Sequence, residues 1–271
     1  MILREITCKS ILTRSGISGI DYALNPYVGC QHGCAYCYAV FMKRFTGHKE
    51  EWGQFVDVRV NAPQVLARQL LRARPGSVNL GTVTDGYQPL ERKYRVARGC
   101  LQALAPYPAF PVTVLTKNAL VLRDLDVLRE MKGIEVAFTI TTLDDAVRSV
   151  LEPLASPIAD RLEALARLHE AGIRTWAFFG PVLPVFSDSE QAVDAMFATL
   201  SAVGVSRVLV DTLNLTGAVW GRLLRVLEQH YPDDVAPYRY IHQDRRGYAA
   251  ALAERVARAA QRHGLPYETG F

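Results

Sequence analysis

The sequence has few cysteines and no long apolar run, and both absences exclude classes of protein. Its 271 residues include 5 cysteines, whereas a secreted disulfide framework usually has an even set spread along the chain. No stretch reaches the roughly 18 consecutive apolar residues of a membrane span. The first residues also lack the basic and then apolar pattern of a secretory signal peptide. These absences predict a cytoplasmic protein with no membrane partner.

Internal repeats and glycine-rich dinucleotide motifs are missing as well. No Gly-x-Gly-x-x-Gly follows a strand candidate, which argues against a dinucleotide site. Hydrophobic residues make up 49% of the chain and charged residues 21%, an ordinary balance for a globular protein with a sizeable core. From residue 21 onward the chain alternates strand and helix patterns, and this alternation is typical of a parallel sheet.

Six short apolar, β-branched segments predict the strands of that sheet. The first runs into residues 26–28, and the others are 77–82, 112–116, 134–141, 175–179 and 207–211. With the helices between them they predict an α/β fold, a partial (β/α)6 TIM-like barrel. We expect an irregular N-terminal segment over residues 1–20, the barrel over 21–235 and a C-terminal helical extension over 236–271. Functional groups of such a barrel collect at the C-terminal ends of its strands.

Three of the cysteines form one motif directly after the first strand candidate. Cys30, Cys34 and Cys37 have the spacing C-x3-C-x2-C. Three thiolates can each hold one iron of a [4Fe–4S] cubane and leave the fourth iron open, as chemistry at a metal requires. A zinc site that adds His32 or a remote fourth ligand is the structural alternative, although no second paired half-site is present. A ferredoxin-like electron carrier would need a fourth cysteine.

The cysteine motif, with Tyr36 as the aromatic residue before its last cysteine, resembles that of the radical S-adenosylmethionine (SAM) superfamily. In that superfamily the open iron binds the amino and carboxylate groups of SAM. One electron from the cluster breaks the sulfonium C–S bond, and the 5′-deoxyadenosyl radical then abstracts hydrogen from a substrate. The resemblance therefore implies a [4Fe–4S] cluster, SAM and an external flavodoxin-like or ferredoxin-like electron donor.

Later segments narrow the resemblance to the spore photoproduct lyase-like group, often labelled DNA repair photolyase. The similarity runs from about residue 20 to residue 185. The chain has the segments of that group in the same order: Cys30 to Tyr38, Thr84-Asp85, Thr116-Lys117, Phe138 to Ile140, Leu151 to Pro153 and Arg161-Leu162.

Polar residues on three predicted strands, or just beyond their ends, are candidates for binding SAM. Thr84 and Asp85 offer a hydroxyl and a carboxylate for the SAM amino group, and the resemblance places Thr84 at the methionine moiety. Asp85-Gly86 is also a turn signal, which is the structural alternative. The resemblance implies that Lys117 pairs with the SAM carboxylate. It also implies that Thr139, whose hydroxyl needs a partner inside a barrel, contacts the SAM ribose.

Arg161 and Tyr38 are two further candidates, one for binding and one for hydrogen transfer. Arg161 lies in the first turns of a predicted helix, where a cation gains nothing from the helix dipole. We therefore expect a specific partner, either Glu152 or SAM. Tyr38 follows the last cysteine, and in photoproduct lyases a tyrosine here is thought to help pass a hydrogen atom back toward SAM. That role also uses a cysteine where this chain has Thr82, which argues against spore photoproduct repair.

The sequence predicts a radical SAM enzyme, of lyase or transferase type, and leaves its substrate open. Residues 1–76 carry 10 Lys and Arg against 5 Asp and Glu. A basic rim of this kind suits a polyanion such as nucleic acid, although so small an excess also suits an ordinary solvated surface. Thr82 favours a small molecule or peptide instead. A non-enzymatic iron–sulfur or zinc protein that binds a partner is the remaining class.

Overall fold

The computed structural model describes all 271 residues, which form eleven strands and ten α-helices. The strands are β1 Ile2–Ile6, β2 Leu12–Arg14, β3 Tyr22–Leu24, β4 Tyr27–Val28, β5 Phe55–Arg59, β6 Val78–Leu80, β7 Val112–Thr116, β8 Glu135–Thr139, β9 Arg174–Phe179, β10 Val208–Val210 and β11 Tyr267–Thr269. The α-helices are α1 Ala62–Leu70, α2 Glu91–Tyr94, α3 Val96–Leu104, α4 Leu125–Glu130, α5 Asp145–Leu151, α6 Ile158–Glu170, α7 Glu190–Ala202, α8 Gly217–His230, α9 Val235–Gln243 and α10 Arg245–His263. Short 3-10 helices cover Tyr38–Phe45, Ala119–Asp124 and Pro232–Asp234.

The larger sheet is the predicted partial barrel. Its eight strands have the order β11-β10-β9-β8-β7-β6-β3-β2. Strands β3 and β6 to β10 are parallel neighbours in chain order, and helices lie between them. Six parallel strands with intervening helices confirm the (β/α)6 arrangement. Its first strand is β3, whereas residues 27 and 28 of the predicted first strand form β4, which lies outside this sheet. None of the helices is long and apolar enough to cross a bilayer.

Both ends of the chain add strands that the sequence pattern does not predict. Residues 1–20, expected to be irregular, contain β1 and β2, and β2 pairs antiparallel with β3 at one edge of the barrel sheet. The C-terminal extension ends in β11, which pairs in parallel with β10 at the other edge. Strands β1 and β11 are almost wholly exposed, so they show no alternation of apolar and polar residues that would predict a strand.

The hydrophobic core lies between the barrel sheet and its helices. Buried apolar residues of the strands face it, and Val114, Val136 and Phe138 are fully buried there. Cys100 on α3 belongs to the same core and is also fully buried. It is therefore a packing residue of the interior, as free cysteines often are. The core fixes the strand ends, and with them the loops that follow each strand.

A smaller sheet supports the cysteine motif. Its order is β1-β5-β4, and β4 ends two residues before Cys30. Gly29 lies between them with φ +85°, where a side chain would overlap the carbonyl oxygen of Phe55 on β5. Only glycine fits so close an approach in a left-handed conformation. The small sheet therefore sets the position at which the loop of the three motif cysteines leaves it.

Candidate functional site

The fold brings the three motif cysteines to one cavity of about 100 Å³. The cavity opens at the C-terminal ends of β6, β7 and β8, where the barrel fold predicts functional groups. All three thiols are free, and Cys30 and Cys34 are only 7% and 5% exposed. Burial raises the pKa of all three thiols, and that of Cys34 to about 12. Metal binding here must therefore release protons.

Distant parts of the chain hold in place the loop that carries the three cysteines, residues 30–37, here called the cysteine loop. The Cys37 N–H donates to the Cys34 carbonyl over 3.2 Å, which forms a tight turn. From α8, the guanidinium of Arg222 donates to the carbonyl oxygens of Gly33 and Trp52, each over 2.7 Å. These bonds tie the cysteine loop to the loop that precedes β5. The cation also stabilises negative charge at the nearby cysteines.

Asp85 lines the cavity, but both oxygens of its carboxylate already have partners within the protein. Oδ1 accepts from the Tyr87 N–H and the Thr116 hydroxyl, each over 2.8 Å. Oδ2 accepts from the Lys117 N–H over 2.8 Å and lies 3.3 Å from His32 Nδ1. Burial opposes the charge, yet these partners outweigh it and lower the pKa of Asp85 to about 2. Asp85 therefore joins the β6, β7 and cysteine loops.

The predicted residues Thr84, Lys117 and Thr139 line the same cavity as the cysteines. The Thr84 hydroxyl donates to the Gly29 carbonyl over 2.6 Å, which ties the β6 loop to the start of the cysteine loop. The Lys117 ammonium lies 5.7 Å from the centre of the Tyr36 ring. Thr139 ends β8 with its side chain buried. Three consecutive strands of the barrel thus each bring one of these predicted residues to the cavity.

Tyr36, Glu152 and Arg161 form a buried network beside the cavity and do not line it. Glu152 accepts hydrogen bonds from the Tyr36 hydroxyl and the Arg161 guanidinium. Arg161 also donates to the Thr139 carbonyl over 3.0 Å. Its specific partner in the structure is therefore Glu152. Tyr36 lines a neighbouring cavity of about 300 Å³ that includes Asp211.

Tyr38 and Thr82 lie side by side at the mouth of the cysteine cavity. The Tyr38 hydroxyl donates to the Thr82 carbonyl, and the tyrosine is 47% exposed. The Thr82 hydroxyl accepts from the Asn25 amide over 2.9 Å. Both residues also line a second, outer cavity of about 430 Å³. The hydroxyl of Thr82 thus has a structural partner in the position where the resemblance places a thiol.

Two buried nitrogen atoms at the cavity have no hydrogen-bond partner with good geometry within the protein. They are Nε2 of His32 and Nε1 of Trp52, and both residues line the cavity while being at most 2% exposed. A buried polar atom without a partner costs about 1–3 kcal/mol. Sulfur atoms of an iron–sulfur cluster accept N–H hydrogen bonds, so a cluster held by the cysteines fits these two nitrogens.

Sequence reasoning missed Trp52 and gave His32 only as a zinc ligand. His32 lies inside the cysteine motif, which was the available signal. Trp52 follows no motif and reaches the cavity only because the smaller sheet places its loop there.

The profile of the Radical SAM superfamily matches residues 24–197. The chain belongs to the radical SAM superfamily. An uncharacterized protein of Methanocaldococcus jannaschii is 32% identical over 189 residues, which cover 70% of this chain and 71% of that protein. An uncharacterized protein of Mycobacterium tuberculosis H37Rv is 31% identical over 269 residues, which cover 93% and 78%. A Radical SAM Nalpha-GlyT isomerase of Pseudomonas phage M6 is 25% identical over 68% of this chain and 38% of its own.

Two solved structures share the fold of this chain. Spore photoproduct lyase with bound AdoMet and dinucleoside spore photoproduct matches with a TM-score of 0.74 at 16% identity, covering 99% of this chain and 82% of that chain. Streptococcus suis SuiB bound to S-adenosylmethionine matches with a TM-score of 0.57 at 15% identity, covering 92% and 50%. These matches confirm the spore photoproduct lyase-like fold of this radical SAM enzyme.

Proposed function

We propose that this radical SAM enzyme holds a [4Fe–4S] cluster on Cys30, Cys34 and Cys37 and binds SAM beside it. One observation carries the proposal: the three thiols share a cavity with unpartnered buried nitrogens and with polar side chains from three strand ends. When bound, the cluster supplies the electron that cleaves SAM to methionine and a 5′-deoxyadenosyl radical, which abstracts hydrogen from the substrate.

The side chains around the cavity then have distinct tasks. Lys117 gives the SAM carboxylate a mobile positive charge. The Thr84 hydroxyl, which donates to the Gly29 carbonyl, accepts from the amino group of the methionine moiety, and Thr139 contacts the ribose. Asp85 acts through its four donors, since it orders the loops that carry the other residues.

Behind the cavity, Glu152 and Arg161 act as positioning residues for Tyr36 and Lys117. Glu152 accepts a hydrogen bond from the Tyr36 hydroxyl. Burial lowers the pKa of Lys117, but the negative charges of Cys34 and Glu152 outweigh burial, so the pKa of Lys117 is raised. The lysine is thereby kept charged for an anionic partner.

Tyr38 is the catalytic residue that we propose for hydrogen transfer. Its side chain lines both the cysteine cavity and the outer cavity, so a substrate in the outer cavity contacts the phenol. The neighbouring Thr82 offers no thiol, so the reaction differs from one that returns hydrogen through a cysteine. The electron must come from an external flavodoxin-like or ferredoxin-like donor, because Cys8 and Cys100 alone cannot hold a second cluster.

Anaerobic reconstitution with iron and sulfide tests the proposal. We expect about four irons per chain and, after reduction with dithionite, 5′-deoxyadenosine from SAM, measured by liquid chromatography and mass spectrometry. Cys34→Ala should lose cluster and product, whereas Cys8→Ala, a half-buried cysteine outside the motif, should keep both. Lys117→Met should raise the KM for SAM. Tight zinc with no visible absorbance, or a cluster that never cleaves SAM, would refute the proposal.

A further inference from the structure

Five cations of the N-terminal quarter line one open surface groove. They come from α1, from β2 and from the segments beside them, and no acidic residue lines the groove. The five are Lys9, Arg14, Arg68, Arg72 and Arg74. All are exposed. Only Arg14 has a carboxylate nearby, Asp21 at 4.0 Å. We call this surface the basic groove, and four of its five cations have no carboxylate within 4.0 Å.

The outer cavity joins the basic groove to the cysteine cavity. It shares Arg14 with the basic groove and shares Tyr38, Thr82 and Val83 with the cysteine cavity. Its lining includes residues 13–17 and the residues on either side of the cysteine motif, Gly29 and Tyr38. A polyanionic chain that lies in the basic groove can therefore place one of its units beside Tyr38. The charge asymmetry of the sequence thus has a definite location in the fold.

Exposed aromatic rings lie on the short helix that borders the outer cavity. The short helix Tyr38–Phe45 presents Tyr38, Phe41 and Phe45, which are 47%, 40% and 67% exposed. The rings of Tyr38 and Phe41 are stacked at 6.4 Å, and both line the outer cavity. Arg44 lies 4.6 Å above the Phe45 ring. Aromatic faces beside a basic groove are the combination that binds single-stranded nucleic acid, since bases stack on the rings while cations contact the phosphates.

We propose that single-stranded nucleic acid is the substrate class, with its phosphates along the basic groove and a base stacked on Phe41 and Tyr38. This inference rests on the proposed function, because it brings a nucleotide to the site where the radical is formed. A duplex can occupy the groove, but its bases reach the rings only after they leave the stack. An acidic peptide would match the charge but would leave the stacked rings without a partner.

Fluorescence anisotropy with labelled 15-nucleotide oligo-dT and oligo-U, on the full chain with its cluster, tests the inference. Arg68→Glu with Arg72→Glu should weaken binding more than tenfold and make its salt dependence shallower, because phosphate contacts are lost. Phe41→Ala should weaken binding about fivefold or more with an unchanged salt dependence, because a stacking contact is lost. The control pair, Arg129→Glu with Arg246→Glu, changes net charge equally at exposed sites outside the groove and should bind normally.

The outcomes separate this inference from the proposed function. The inference would be overturned if the control pair weakened oligonucleotide binding as much as the groove pair. It would also be overturned if polyphosphate competed as well as an oligonucleotide and Phe41→Ala had no effect on binding. SAM cleavage without any oligonucleotide binding would overturn it too, a result that leaves the proposed function intact. Oligonucleotide binding by a protein that never cleaves SAM would instead refute the proposed function.

Discussion

The buried network behind the cavity makes the stability of this protein depend on one carboxylate. The side chains of Glu152 and Arg161 are both fully buried. Glu152 accepts from Arg161, from the Tyr36 hydroxyl and, over 2.9 Å, from the Thr141 hydroxyl. Arg161 donates further to the Thr139 carbonyl over 3.0 Å. Every charged atom of the pair therefore has its partner inside the protein.

Glu152→Gln keeps the shape of the side chain and removes its charge. The guanidinium of Arg161 is then buried without a counter-charge, and breaking a buried ion pair costs about 3–5 kcal/mol of unfolding free energy. Burial opposes the negative charge of Glu152, but Arg161 and Lys117 outweigh it and lower its pKa. The stabilisation is therefore complete above the unfolded pKa, about 4.3, and is lost as pH falls through the lower folded pKa.

Urea unfolding at pH 7, with both proteins at the same cluster content, measures the loss. We expect a reduced midpoint at unchanged slope, and a difference from wild type that shrinks below about pH 4. Glu163→Gln is the matched control, because this carboxylate is 67% exposed and 3.8 Å from Arg167. Such a surface pair contributes about 0–1 kcal/mol. A loss under about 1 kcal/mol for Glu152→Gln, or one equal to the control, would refute the reasoning.

Three further predictions concern the cavity wall. Gly29→Ala should lower the free energy of unfolding in urea by about 1–2 kcal/mol or more, because φ is +85° and the added methyl group overlaps the backbone of Phe55. The control Gly16→Ala, which has open space around it, should change that free energy by less than about 0.5 kcal/mol. Asp85→Asn should cost about 2 kcal/mol at pH 7, a difference that vanishes as pH falls toward the pKa of about 2. Trp52→Phe should lower the cluster reduction potential by on the order of 50 mV in an EPR titration, and Trp176→Phe, whose buried nitrogen also lacks a partner, should not.

The cysteine site could be predicted from the sequence because the residues that form it are close together in the chain. Three thiols lie within eight consecutive residues, Cys30 to Cys37, and the glycine that lets the loop leave its strand is adjacent. The alternation of strand and helix patterns likewise predicted the parallel sheet, since the period of apolar residues reflects which face is buried. Thr84 and Lys117 follow from the same logic, as each lies just beyond the end of a barrel strand. Thr139 was predicted in the middle of a strand, and in the structure it is the last residue of β8.

Only the tertiary structure decided what each polar side chain does. Asp85 has the sequence position of a ligand, yet donors from three loops occupy both of its oxygens. Arg222 lies 189 positions from Gly33 and still holds its carbonyl. The basic groove joins cations from β2 and α1 that a linear charge count can only sum. Hydrogen-bond partners and surface charge depend on which distant segments the fold brings together, and a local pattern does not contain that information.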